Sequence, residues 1–129
     1  MKNCIYSKII IIDKDFIGTM ILQKLIQKNF NCEVLHFKHY ELAYEYFAKT
    51  TIQYKFLVFS DIYNIDNDAT DFLIKYQALN RSDSFYILTA SIDPNDKLIA
   101  AQFNFISEFI PKPIAWDKLK SILDTALLT

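Results

Sequence analysis

Short apolar runs alternate with longer stretches of helical periodicity five times along this chain, and that alternation admits few folds. Continuous apolar runs are the mark of parallel strands buried on both faces, and parallel neighbours need crossover helices between them. The pattern predicts an α/β domain, a parallel sheet with helices on both faces. Strands are expected near 8–13, 32–37, 55–60, 85–89 and 108–111, and helices near 15–29, 40–49, 69–79, 94–103 and 114–127.

Within the first helix, Ile17, Ile21, Leu22, Leu25 and Ile26 recur at three- and four-residue spacing and predict one buried stripe, with Lys24, Gln27 and Lys28 outside it. Gly18 interrupts that helix at a cost of about 1 kcal/mol relative to alanine, which suggests open space above the carboxyl edge of the sheet. Leu42, Ala43, Tyr46 and Phe47 mark the second helix, and Phe72, Leu73 and Tyr76 the third. Asp93 followed by Pro94 reads as the N-cap and first turn of the fourth. The last has Leu119, Ile122, Leu123 and Ala126 on one face, with Trp116 near its start.

Composition removes several classes of function. The 129 residues carry a net charge of −1, and the basic residues are scattered lysines plus the isolated Arg81, so no clustered nucleic-acid footprint exists. A single glycine, Gly18, rules against the glycine-rich loops that cradle nucleotide phosphates. No apolar segment is long enough for a membrane helix and the N-terminus does not read as a signal peptide, so a cytoplasmic protein is expected. Cys4 and Cys32 fall just before or at the starts of the first two strands. In a cytosolic protein they are expected to be reduced thiols. His36 and His39 have no acid or cysteine cluster beside them in sequence and read as surface histidines, while Tyr40, Tyr44 and Phe103 are candidates for an exposed docking patch.

Four apolar runs end in residues with useful chemistry. Ile9–Ile12 runs into Asp13, the run from Phe56 reaches Ser60 and Asp61, Phe85–Leu88 runs into Thr89, and Phe109-Ile110-Pro111 runs into Lys112. In open α/β sheets such strand ends share one edge, where ligands bind. Two acids, a hydroxyl and an ammonium on one edge can accept a phosphoryl group on one carboxylate, hold a cation with another, and bind the phosphoryl oxygens.

At these residues, Asp13, Asp61, Thr89-Ala90 and Lys112-Pro113, the chain resembles the receiver domain of two-component response regulators, from Lys8 to about Leu128. The resemblance implies a flavodoxin-like, doubly wound five-stranded sheet of order 2-1-3-4-5, and a single receiver-like domain over 1–129 without an output domain. Asp61 would be the phosphoacceptor, Thr89 the switch hydroxyl, Lys112 the lysine that pairs with the phosphoryl group, and Phe109 the switch aromatic. Activity would be limited to self-phosphorylation and self-dephosphorylation at Asp61. Implied partners are a histidine kinase or phosphotransfer protein and a downstream protein, with neither nucleic acid nor membrane, and a homodimer is left open. A Lys-Pro bond in the cis form is common at this place in the family.

Departures from the family pattern are informative. The family has a second acid after the first strand that ligates magnesium, whereas this chain has Asp13-Lys14. A lysine there removes an oxygen ligand and adds a repelling charge, so magnesium on Asp13 and Asp61 is expected to be weakened. Asp15 is expected to begin the first helix and point elsewhere. The loop after Asp61 reads Tyr63-Asn64-Ile65-Asp66-Asn67-Asp68-Ala69 without the usual proline and glycine, so a positive φ would fall to Asn64, Asn67 or Asp68, and to Asn104 after the fourth helix. Bulky Tyr63 would screen an acyl phosphate from water. The surface of the fourth helix, fifth strand and last helix would carry partner contacts, with Phe103, Phe105 and Trp116 as its apolar part.

Two other functions fit the same residues. One is a phosphorylation-independent receiver-like interaction module, in which the Lys14 ammonium pairs with Asp13 or Asp61. The other is an enzyme, because Asp13-Lys14-Asp15 also resembles the nucleophile motif of haloacid-dehalogenase-type phosphatases, with Asp13 as nucleophile and Thr89 and Lys112 as the second and third motifs. Against the enzyme, no acidic pair follows Lys112, Asp61 has no role in it, and there are no residues for a cap domain.

Overall fold

Residues 2–62 and 67–127 are described by a computed structural model of the chain, built around a five-stranded parallel sheet. In chain order the elements are β1 (Lys2–Asn3), β2 (Lys8–Ile12), α1 (Phe16–Asn29), β3 (Phe30–Asn31), β4 (Val34–Phe37), α2 (Tyr40–Lys49), β5 (Phe56–Ser60), α3 (Asn67–Ala78), β6 (Ser84–Thr89), α4 (Pro94–Ala100), β7 (Ile106–Pro111) and α5 (Trp116–Leu127). The main sheet runs β4-β2-β5-β6-β7, which is the predicted 2-1-3-4-5 order of the long strands. Every neighbouring pair is parallel.

Side chains alternate across a strand with period two, and each face of the sheet therefore takes every second residue. Ile9, Ile11, Leu57, Phe59, Leu88 and Ile110 pack with Leu22 and Ile26 of α1 and Leu119, Ile122 and Leu123 of α5. Ile10, Ile12, Val58, Phe85 and Ile87 pack on the other face with Phe47 of α2, Phe72, Leu73 and Tyr76 of α3 and Ala100 of α4.

Several sequence expectations need correction. Ile17 and Ile21 are 66% and 63% exposed, so the buried stripe of α1 is Thr19, Leu22 and Ile26 with Leu25 beside it. Three-residue spacing admits either stripe, and the sheet contact selects one. Gly18 does not open space above the sheet edge: a Cβ there would collide with the Asp15 carboxylate. Asp15 is the N-cap of α1, with its side chain accepting from Gly18 N, as expected. Asp93 and Pro94 begin α4 as predicted. Among the described residues, positive φ falls on Asn80 (φ 52°), and neither on Asn67 and Asp68, which α3 takes into its first turn, nor on Asn104. Tyr63, Asn64 and the side chain of Ala126 lie outside the described residues.

Cys4 and Cys32 form a disulfide, contrary to the expectation of free thiols. The short pairing of β1 with β3 sets Lys2 against Phe30 and Asn3 against Asn31, so the next residues in register are the two cysteines.

Arg81 is not isolated. It lies before β6, at the amino edge of the sheet, with its side chain and that of Asp83 each 1% exposed. Its Nε donates to Asp83 Oδ2 at 2.7 Å, Nη1 to Thr50 O at 2.8 Å and Nη2 to Tyr54 O at 2.8 Å, while the guanidinium lies 4.8 Å from the Phe56 ring centroid. Asp83 also accepts from Tyr76 Oη at 2.6 Å and Phe56 N at 2.9 Å. Burial, reinforced by the Asp83 charge, pushes the Tyr76 phenol far above its ordinary range.

Candidate functional site

The parallel ladder continues one residue past the strand ends and sets the site residues in one row. Asp61 N donates to Ile12 O at 2.8 Å, Lys112 N to Thr89 O at 2.8 Å, and Asp13 N to Phe37 O at 3.0 Å. Asp13, Asp61, Thr89 and Lys112 are thus gathered at the carboxyl edge, as the strand endings predicted.

Lys112 sits between the acids. Its Nζ donates to Asp13 Oδ2 at 2.6 Å and to Asp61 Oδ2 at 3.1 Å, with side-chain exposures of 23% for Lys112, 9% for Asp13 and 16% for Asp61. Such shielded charges interact more strongly than surface pairs. Burial works against the Lys112 charge, but the hydrogen bond to Asp13 and the charges of both acids outweigh it and hold Lys112 above the ordinary lysine value. Burial pushes the Asp61 carboxyl above the usual carboxylate range, and the Thr89 hydroxyl and the Lys112 ammonium offset only part of that rise. Asp61 Oδ1 is buried without a hydrogen-bond partner.

Thr89 is fully buried beside Asp61, and its hydroxyl donates to Ile62 O at 2.5 Å. Asp13 Oδ1 accepts from Asp15 N at 2.8 Å, which fixes the carboxylate. The Lys112-Pro113 peptide is cis, and Phe109 is half-buried against the core under α2, α3 and α4.

Lys14 does not pair with Asp13 or Asp61; Lys112 holds that position. The Lys14 side chain instead lines a cleft of ≈ 550 Å³ between α2 and α3, with Tyr40, Tyr44, Asp68, Asp71 and Lys75. Two contacts escaped sequence reasoning. His36 Nε2 lies 2.7 Å from Asp13 O, and Tyr40 Oη donates to Asp61 O at 2.7 Å, so both acids are braced through their carbonyls. His36 is therefore more than a surface histidine. Tyr40 stacks on Phe72 at 5.2 Å rather than forming a free patch. Neither contact has a local sequence signal, since each depends on the β2–β4 and β2–β5 register.

In sequence the chain matches no protein-family model and no curated protein. In structure it is similar to a response regulator receiver protein from Dyadobacter fermentans, at 18% identity and TM-score 0.78, covering 93% of this chain and 97% of the other. A signal receiver domain of an HD domain-containing protein from Pseudomonas fluorescens gives 20% identity and TM-score 0.78, over 95% and 88%. A response regulator receiver domain protein from Methanospirillum hungatei gives 18% and 0.75, over 95% and 98%. The chain has the fold of response-regulator receiver domains. No helix among the described residues is long and apolar enough to cross a membrane.

Proposed function

We propose that the chain is a receiver module of phosphorelay signalling, in which Asp61 accepts a phosphoryl group and a protein-binding surface responds. The observation that carries this reading is the Lys112 ammonium held 2.6 Å from Asp13 and 3.1 Å from Asp61 on a receiver fold. In the reaction an Asp61 oxygen bonds to phosphorus, the bond from phosphorus to the donor atom breaks, and its electron pair leaves with the donor. Lys112 would then turn from the carboxylates to the new phosphoryl oxygens. The donor would be a histidine kinase or phosphotransfer protein and the recipient of the signal a further protein.

Asp13 and Asp61 fit a magnesium ion as a minimal set. Magnesium is often held by one or two carboxylates together with phosphate oxygens and water, and the unpartnered Asp61 Oδ1 offers a free acceptor. When bound, the ion would neutralise phosphoryl charge. A third acid is lacking because Lys14 takes its place and Asp15 is committed to the α1 cap. Among the described residues no cluster of three or more metal-binding side chains occurs. The same commitment of Asp15 argues against a phosphatase using Asp13.

For the responding surface, the face of α4, β7 and α5 remains the proposal. Trp116 is its accessible aromatic, and Lys118 and Glu108 form an exposed ion pair on it at 2.6 Å. Phe103 and Phe105 belong instead to an aromatic cluster, with Phe105 4.9 Å from Tyr76 and 5.0 Å from Phe85.

A second reading, an interaction module indifferent to phosphorylation, draws on the same Lys112 contact, because one ammonium already pairs with both acids. Partner affinity of wild type and Asp61→Asn, each with and without phosphodonor, separates the two. A response confined to wild type supports the switch, and four equal affinities support the fixed module.

A further inference from the structure

We infer that Tyr40 is a positioning residue for Asp61: its phenol holds the Asp61 carbonyl and thereby fixes the direction in which the carboxylate leaves the sheet edge. β5 ends at Ser60, and one further ladder bond runs from Asp61 N to Ile12 O at 2.8 Å. β2 has itself ended at Ile12, and the Asp61 carbonyl takes side-chain donors, Tyr40 Oη at 2.7 Å and Ser60 Oγ at 3.3 Å. The bond from the tyrosine is the shorter. A carbonyl's direction fixes the dihedral ψ of its own residue, and the backbone dihedrals limit the rotamers open to the side chain.

Tyr40 can do this because it has little freedom of its own. It is the first residue of α2, and its ring stacks on Phe72 of α3 with 5.2 Å between centroids and 22° between planes. Phe72 is buried in the core under α2 and α3, so the stacked ring is held from below. The phenol oxygen then has a nearly fixed place at the sheet edge. Asp61 O is thus positioned from α2 and α3, two elements that supply none of the four groups gathered there.

The consequence, which rests on Asp61 being the phosphoacceptor, concerns the approach to phosphorus. An Asp61 oxygen has to form its bond in line with the bond to the leaving group, which departs with that bond's electron pair. A carboxylate that wanders meets this line less often, while the groups that hold the donor's phosphoryl oxygens are unchanged. Loss of one net hydrogen bond corresponds to roughly fivefold in a rate that depends on it.

The test uses Tyr40→Phe, which deletes the hydroxyl and keeps a ring on Phe72. Two quantities are measured: the Asp61 χ1 rotamer, from three-bond NMR couplings to its carboxyl carbon, and phosphoryl uptake from acetyl phosphate over a range of donor concentrations. Wild type is expected to hold one Asp61 rotamer and Tyr40→Phe to average over more than one. The maximal uptake rate of Tyr40→Phe should fall about fivefold at an unchanged half-saturating donor concentration. Phe47→Leu trims a buried ring further along α2 and controls for stability alone. It should unfold at a lower temperature than Tyr40→Phe yet take up phosphoryl at the wild-type rate. Unchanged couplings in Tyr40→Phe would overturn the inference, as would an unchanged maximal rate or an equal slowing in Phe47→Leu. If wild type takes up no phosphoryl group, the phosphoacceptor reading fails by itself and the couplings still decide whether Tyr40 positions the carboxylate.

Discussion

Lys112 Nζ and Asp13 Oδ2 meet at 2.6 Å across 99 residues of sequence, and the same ammonium reaches Asp61 at 3.1 Å. The pair joins the loops after β2 and β7 across the middle of the sheet edge. Its strength sets how the site responds to pH.

The Asp61 carboxyl is held above the ordinary carboxylate value of 3.8, with burial the largest cause. By linkage, its contribution to stability is present below the unfolded value and is lost as pH rises through the folded one. Asp61→Asn should therefore be more stable than wild type at neutral pH, with the gain shrinking as pH falls through the carboxylate range. Lys112 is raised, so its contribution holds below the ordinary lysine value of 10.5 and is lost above its folded value. Lys112→Met should cost roughly 2–3 kcal/mol at neutral pH, at or below the low end for breaking a buried pair because the site is partly solvated. Thermal unfolding of both variants from acid to alkaline pH checks the two signs.

Lys14→Asp should tighten magnesium by about tenfold or more. The change replaces a positive charge with a negative one next to Asp13 in the chain and offers the ion a further oxygen, both of which favour the cation. Calorimetric titration of the two proteins measures it, and equal affinities would mean that the cleft beyond Tyr40 keeps residue 14 away from the ion.

Arg81→Ala should destabilise by about 3–5 kcal/mol, because it strands the Asp83 charge in the interior. Arg81→Lys should recover little of that loss. Three ammonium donors on a flexible stem cannot serve Asp83, Thr50 and Tyr54 from one planar fork. Chemical denaturation with phosphodonor omitted isolates this effect from the opposite edge.

Reducing the Cys4–Cys32 bond, which spans a sequence separation of 28, should lower stability by roughly 3–4 kcal/mol on the loop-closure estimate. Unfolding with and without reductant gives the value, and Cys4→Ser should match the reduced protein.

The strands and the site were legible because they depend on local patterns. Ile9–Ile12 and Phe56–Phe59 can be little else than buried parallel strands, and Asp13, Asp61, Thr89 and Lys112 are placed by where such strands stop. Features set by register or by backbone partners were not legible. Cys4 meets Cys32 through two-residue strands too short to show a period, and Arg81 bonds to carbonyls of Phe47, Thr50 and Tyr54, whose side chains say nothing of it. In α1, Ile17 and Ile21 fit the helical period as well as Leu22 and Ile26 do, and only the packing against β2 and β5 separates them.

The most direct test of the account is phosphoryl uptake on Asp61. Wild type and Asp61→Asn are incubated with acetyl phosphate and magnesium, and intact mass and peptide mapping follow. The account predicts one added phosphoryl group on wild type, located at Asp61 and absent from Asp61→Asn. No added group on wild type, or the same addition to both proteins, would contradict it.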